Sequence, residues 1–529
     1  MAHDIAFTAP HSGAAEIGLQ VLKDGGNAVD AMVAAAAAIS VLYPHMNSLA
    51  GDGFWLIQKP GEQPRAIDAS GCSAKLATID WYQKRNYSSI PGRGGPAALT
   101  IGGTLDGWRL ARQIIAESDP VKPLKELLAP AAKLARDGIR VTDSLAAASR
   151  KVESDMAAQL DYKKLFMPLK QPLISGQQFT NSALAETLEK IAADGTDTFY
   201  RGELAAHIAG ALEQQGSPIR YQDLADYRAK EVTPLATTIR HGTLYNLPAP
   251  SQGLASLLIL AIYDAIYDPE WNTSKRIHGL LEATKRAFLV RDAEVTDPSR
   301  VSDGWPELLS KTHIDRLAAD IDQLAMPWPH VAEPGDTVWM GCTDANGTMV
   351  SFIQSVYWEF GSGVVIPGTG LVWNNRGASF SLDSNDVNAL GPKLKPFHTL
   401  NPAMAELLDG RRISYGTMGG EGQPQTQATL LSRYLYDDFA IADAIAEPRW
   451  LLGRTWGDTD HDLKMEQSLY DQQAAKLTQV GHEIRPVPDC NELMGHAGAI
   501  VRHPDGELEA ASDPRSDGAG LTASSMGAN

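Results

Sequence analysis

Apolar positions fall at helical spacing from Ser12 to Lys23, and Gly25-Gly26 follows as a stop signal. A second helix, from about Asn27 to Leu42, is apolar on almost every face, and its alanines suit close packing inside a core. Pro44 ends it, and Leu49 to Phe54 reads as a tight turn into a strand. The Gly- and Pro-rich stretch from Pro91 to Gly107 predicts a loop, and the chain from about Pro123 to Gln214 is largely helical in period. Pro248 to Gly253 predicts a rigid loop feeding the apolar helix Leu254 to Ile266, and helices continue to about Leu324. Near Pro334-Gly335 the pattern turns to strands: Thr337 to Thr343, Met349 to Tyr357, Gly363 to Val365, Gly370 to Trp373 and Arg412 to Tyr415. Two short helices follow, near Ala428 to Tyr434 and Gln472 to Val480, and there is no internal repeat. A helix-rich front followed by a strand-rich rear predicts an α+β architecture, with helices layered on sheets.

Composition narrows the function. A chain of 529 residues can form two or three ordinary domains or one large unit, and 43% hydrophobic with 21% charged residues is a globular balance. The net charge of −18 argues against nucleic acid and against a basic membrane-surface protein. The start, Met1 to Gly18, has no basic region followed by an apolar run, so a cytoplasmic protein without a secretory leader is expected. Cys72, Cys342 and Cys490 are far apart, consistent with reduced thiols. No metal-ligand motif, P-loop or dinucleotide fingerprint is present, so neither metal nor cofactor is expected.

The candidate chemistry lies where the pattern changes. Asp336 to Thr343 predicts a strand, Asp344-Ala345-Asn346-Gly347 a turn, and Met349 to Tyr357 the antiparallel return. Pairing about Asn346 sets Ser355 near Thr337 on one face, with a slip of one residue left open. By pattern alone Thr337 is simply a threonine at the start of a strand.

Motifs along nearly the whole chain give it more weight. Gly25 to Ala31 (GGNAVDA), Phe199-Tyr200-Arg201-Gly202, Asp223 to Tyr227 (DLADY), Pro250-Ser251-Gln252-Gly253, Phe360 to Val365 (FGSGVV), Gly416 to Gly420 (GTMGG) and Ser512-Asp513-Pro514-Arg515 occur in an order that resembles the gamma-glutamyltranspeptidase family. The resemblance implies a four-layer αββα sandwich of the N-terminal-nucleophile hydrolase type. It implies self-cleavage between Asp336 and Thr337, giving fragments 1–336 and 337–529 that fold as one unit, with further pairing of such units left open. It makes Thr337 the nucleophile, Ser355 the hydroxyl that holds it, and the N–H groups of Gly419 and Gly420 the oxyanion hole. The freed α-amine of Thr337, with a reference pKa of about 7.7–8.0, then serves as general base.

The same comparison shows departures at the glutamyl site. The resemblance puts Arg376 after Asn374-Asn375, where the family has an acid or amide, and Ser379 where it has an aspartate. His398-Thr399 stand for its paired serines, Tyr357 for its asparagine, Ala69 for its large-fragment arginine and Trp339 for its histidine. A substrate ammonium would meet a cation at Arg376. The expected substrate is therefore a small anionic amide bearing a carboxylate and no ammonium. Arg376 supplies a planar fork for it, and Tyr357, Ser379, His398 and Thr399 complete the binding set. Alternatives remain open: Arg376 pairing with Glu359 as a structural group, gamma-glutamyl transfer or hydrolysis at a rearranged site, an acylase for larger acidic amides, and a non-catalytic binding protein.

Overall fold

Two antiparallel sheets, each built from both halves of the chain, organise the fold. The computed structural model describes residues 4–328, 336–453 and 462–525. Numbering only the strands of these two sheets, β1 is Ile5–Ala9, β2 Asp52–Gln58, β3 Arg65–Ala69, β4 Lys230–Val232, β5 Leu235–Ile239 and β6 Gly242–Asn246. They continue with β7 Asp336–Thr343, β8 Met349–Tyr357, β9 Ala403–Leu407, β10 Arg412–Thr417, β11 Ala497–Arg502, β12 Leu508–Ser512 and β13 Ala519–Ala523. The first sheet has seven strands in the order β13-β1-β7-β8-β2-β3-β4, and the second has six in the order β12-β11-β10-β9-β6-β5.

The helix-rich front thus supplies six strands, of which its pattern announced only the one entered from the Leu49 to Phe54 turn. The reason is burial: β1 and β2 are buried at every position, so the alternation that marks a half-exposed strand is missing. Helices match the periodicity better. Here α1 is Ser12–Lys23, α2 Ala28–Leu42, α3 Gly253–Ile266, α4 Thr273–Glu294 and α5 Gln423–Tyr436. All of α2 is buried, and Asn27 caps it by accepting from the Asp30 N–H at 2.9 Å. Gly18 lets α1 lie on β1, since a Cβ there would come within 2.3 Å of the Phe7 ring.

One apolar core packs α1 and α2 on the seven-stranded sheet, and a second packs α3, α4 and α5 on the six-stranded sheet. A third joins the sheets to each other through Phe54, Trp339 and Ile353 on one side and Tyr245, Met404 and Ile500 on the other. Trp339 explains part of this contact. A Cβ on Gly416 would meet its indole at 2.2 Å and one on Gly498 at 2.6 Å, so two glycines of the second sheet make room for it. The indole N–H donates to Ser351 Oγ at 2.9 Å. In this way the start of β7 and the end of β10 are brought to the same end of the molecule.

Candidate active site

The β7–β8 hairpin turns as its sequence predicts. Gly347 has φ +83°, and Asp344 Oδ1 accepts from the Thr348 N–H at 2.9 Å. The register runs from Thr343 opposite Met349 to Val338 opposite Gln354, which is pairing about Asn346. One further step would set Thr337 opposite Ser355. A bulge interrupts the ladder there, and Asp336 pairs with Tyr357 instead. Tyr357 closes the bulge with φ +85°, a left-handed conformation costly for a non-glycine residue, and its N–H donates to Ser355 Oγ at 2.8 Å. Gly335, on the far side of the expected cleavage bond, lies outside the described residues.

Thr337 is fully buried, and its Oγ accepts from Gln423 Nε2 at 3.3 Å. Gln423 is the first residue of α5 and follows the Gly419-Gly420 turn by three positions, so this bond ties the turn to the threonine. The turn has φ +122° at Gly419 and +53° at Gly420, which glycine tolerates best. Two hydrogen bonds fix its peptide planes. Thr417 Oγ donates to the Met418 carbonyl at 2.7 Å, and the Gly422 N–H donates to the Gly419 carbonyl at 2.8 Å. Because the N–H of a trans peptide points opposite its carbonyl, the Gly419 and Gly420 N–H directions are set by these bonds.

The other end of the site is a buried cation. Arg376 opens a short 3-10 turn and is 1% exposed. Its guanidinium carbon stands 3.3 Å from the centre of the Tyr357 ring. Nη1 donates to Thr399 Oγ at 3.1 Å and approaches His398 Nδ1 at 3.4 Å. The opposite edge, Nε and Nη2, has no acceptor among the described residues. Glu359 is not its partner among the described residues: that carboxylate pairs with Lys151. Ser379 turns elsewhere, with its hydroxyl against the backbone carbonyls of Arg376 at 2.9 Å and Phe397 at 3.1 Å.

His398 is held neutral. Its Nδ1 accepts from the Leu400 N–H at 3.3 Å, so the proton sits on Nε2 and faces Asp52 Oδ2 at 3.1 Å. Burial, then the charges of Arg376 and Lys395, push its pKa well below the ordinary histidine value. Burial pushes the Asp52 carboxyl up to about 7, against the Gly71 N–H, Arg376 and Lys395, which favour its ionised form.

The gamma-glutamyltranspeptidase family model matches residues 14–523. The chain belongs to this family. Among its relatives, it is 48% identical over 516 residues to the oxamate amidohydrolase proenzyme of Klebsiella pneumoniae subsp. pneumoniae, covering 97% of each chain. It is 38% identical to the glutathione hydrolase-like YwrD proenzyme of Bacillus subtilis, again over 97% of each. Among solved structures, it is similar to the cephalosporin acylase from Bacillus halodurans, with a TM-score of 0.90, 31% identity and coverage of 98% of this chain and 96% of that one.

Within the family frame, the fold brings Thr337 and the glycine turn together through Gln423, and it gathers Tyr357, Arg376, His398 and Thr399 around one guanidinium. Ala69, which the resemblance sets against the family arginine, ends β3 in a tight spot: a Cβ on Gly107 would meet its own Cβ at 2.6 Å. Sequence reasoning missed Gln423, Asp52 and Gln252. Each stands inside a stretch that the sequence singles out, Gln252 in Pro250 to Gly253, Gln423 in Gly420 to Gln425 and Asp52 in the Leu49 to Phe54 turn, but none of these gave the side chain a role. It also passed over His278, Glu282 and His482, whose potential ligand atoms lie within 4.8 Å of one another. Lys285 and Arg286 hold the Glu282 carboxylate, each at 2.8 Å. Among the described residues no helix is long and apolar enough to cross a membrane.

Proposed function

We propose that this protein hydrolyses the amide of a small carboxylate-bearing substrate, oxamate first among them, to oxalate and ammonia. The observation that carries the reading is the buried Arg376 edge, Nε and Nη2, with no acceptor among the described residues. A guanidinium edge presents two parallel N–H groups, the geometry a carboxylate accepts, and a buried charge left unpaired is costly. The similarity to an oxamate amidohydrolase proenzyme supports the same choice.

As a member of its family the chain is a self-processing amidohydrolase of the N-terminal threonine type, a proenzyme that yields a two-fragment heterodimer. We place its cleavage at Asp336–Thr337, giving 1–336 and 337–529. We read the two sheets and three cores as the αββα sandwich of that class. In the cut protein the Thr337 α-amine takes the hydroxyl proton as Oγ attacks the amide carbon. The Gly419 and Gly420 N–H groups receive the developing oxyanion. The C–N bond breaks, the amine returns the proton to the leaving nitrogen, and ammonia departs. Water then attacks the ester under the same base, releasing oxalate and restoring the threonine hydroxyl. We assign Ser355 the part of hydroxyl partner to the nucleophile, as the family resemblance implies. Tyr357, His398 and Thr399 hold Arg376 against the substrate carboxylate, and Ser379 closes the backbone of that wall.

The test is ammonia release from oxamate beside product release from a gamma-glutamyl amide, on protein confirmed as cleaved before Thr337. Turnover of oxamate alone is expected. Turnover of the gamma-glutamyl amide alone would return the protein to glutathione-type chemistry. A second reading, hydrolysis of larger acidic amides, is favoured by the structural likeness to cephalosporin acylase, and a glutaryl amide in the same assay distinguishes it.

A further inference from the structure

The glycine turn and the Arg376 guanidinium share one support. Gln252, the N-cap of α3, is completely buried. Its Nε2 lies 2.8 Å from the Thr399 carbonyl and 2.9 Å from the Gly420 carbonyl, so each of its two hydrogens has an acceptor. Its Oε1 accepts from Arg291 Nη1 at 3.1 Å. The flipped amide would set oxygen against two carbonyls and N–H against a guanidinium, so the orientation is fixed by chemistry. Arg291, from α4, is 3% exposed. Its Nη2 pairs with Glu421 at 2.8 Å, and its Nε donates to Asp292 at 2.8 Å. The guanidinium lies 4.0 Å from the Phe288 ring centre.

The consequence lies in what Gln252 joins. Three successive carbonyls, of Met418, Gly419 and Gly420, are tied down, the last by Gln252. Thr399, whose carbonyl takes the other Gln252 hydrogen, accepts from Arg376 through its hydroxyl. One side chain therefore spans the turn that would receive the oxyanion and the residue that steadies the carboxylate anchor.

We propose that Gln252, braced by Arg291, is a positioning residue that sets the spacing between the oxyanion turn and the Arg376 guanidinium. The proposal rests on the reading of Thr337 and the glycine turn given above. In a substrate whose carboxylate is bonded directly to the amide carbon, no flexible segment takes up an error in that spacing.

The experiment uses Gln252→Leu, Arg291→Met, the double variant and Arg291→Lys, each as full-length protein normalised to the fraction cleaved before Thr337. Two rates are read. The burst of p-nitrophenolate from p-nitrophenyl acetate reports acylation by an ester that lacks a carboxylate and so needs only the turn. kcat and KM for oxamate report both ends. Gln252→Leu should slow the burst roughly 10-fold and lower kcat for oxamate roughly 100-fold, the scale of a misplaced reacting group or a weakened oxyanion hole. KM should change less than kcat. Arg291→Met should show a smaller loss of the same kind, the double variant no more than Gln252→Leu, and Arg291→Lys a partial recovery. Unchanged rates per cleaved enzyme, equal losses on both substrates, or losses that multiply in the double variant would overturn the proposal. A wild-type burst without oxamate turnover would sink the substrate reading alone, and Gln252 would then stand or fall on the burst. Absence of a wild-type burst would overturn the nucleophile reading and this proposal with it.

Discussion

The two ends of the site differ in how far their polar groups are already satisfied. Around Thr337 the groups are matched: Gln423 reaches the hydroxyl, and the carbonyls of the glycine turn have donors. Around Arg376 one edge is matched by Thr399 and His398, while Nε and Nη2 have no acceptor among the described residues. A buried donor without a partner costs about 1–3 kcal/mol, more when charged. At the first end the hydroxyl and the turn carbonyls are held by the protein's own groups, and at the second a charged edge is left for a ligand. That is the pattern expected where chemistry is shared by a family while the acyl group differs among its members.

Replacing Thr337 with Ala tests the completed end and should have the largest effect. The variant should show neither cleavage at Asp336–Thr337, read by mass spectrometry of the fragments, nor ammonia release. A variant still cut at that bond would show that the nucleophile lies elsewhere.

The unfinished end is tested by Arg376. Arg376→Gln should lower kcat/KM for oxamate by roughly 10²–10³-fold, the worth of one or two charge-assisted hydrogen bonds, and affect a neutral amide far less. Equal losses on both would make Arg376 structural. Thermal unfolding gives a second reading. Oxalate at a hundred times its Kd should raise the Tm of the wild type by about 2 °C and leave Arg376→Met unmoved. Arg376→Met itself should melt no lower than the wild type, since it removes a buried charge with unmade bonds.

A smaller effect follows from Asp52. Its carboxyl titrates at about 7, near His398, Arg376, Lys395 and Asp68. Below that pH it is neutral and the Arg376 charge is unopposed. Above it, an anion stands near the pocket, so KM for an anionic amide should rise a few-fold between pH 6 and 8, roughly the size of a screened interaction. Asp52→Asn should flatten the profile, and an unchanged rise would assign it to another group. Because the folded pKa is raised from 3.8, the native state holds the proton more tightly, and this group's contribution to stability falls as pH rises from about 4 to 7.

The same contrast describes what the sequence made legible. The β7–β8 hairpin could be read locally, because its turn chemistry and apolar positions are contiguous, and the register held as far as Gln354. The bulge at Ser355 could not, since it depends on the surrounding contacts, including Gly51, where a Cβ would come within 2.2 Å of the Ser355 carbonyl oxygen. Arg376 stood out because it broke a family pattern. Gln423, Gln252 and Asp52 did not, because a buried amide or carboxylate gains its meaning from partners far along the chain. The strand β1 was missed for a related reason, since burial on both faces erases the period that announces a strand, whereas β2, buried likewise, was legible only from the turn before it.

The smallest expected effect marks the edge of the unfinished end. The resemblance sets Ser379 against a family aspartate, which made it a substrate-binding candidate, yet its hydroxyl is placed against the carbonyls of Arg376 and Phe397. It also lines a surface groove shared with Trp358, Phe380 and Glu421. Ser379→Ala should therefore change kcat/KM for oxamate by no more than about 3-fold, the value of one neutral hydrogen bond, with a comparable small loss of stability. Ser379→Asp is the sharper variant. An added carboxylate here would compete for the open Arg376 edge, so KM for oxamate should rise while the p-nitrophenyl acetate burst stays unchanged. If Ser379→Ala alone abolished oxamate turnover and spared the burst, the hydroxyl would belong to the substrate site after all, and the boundary between wall and ligand would have to be moved outward by one residue.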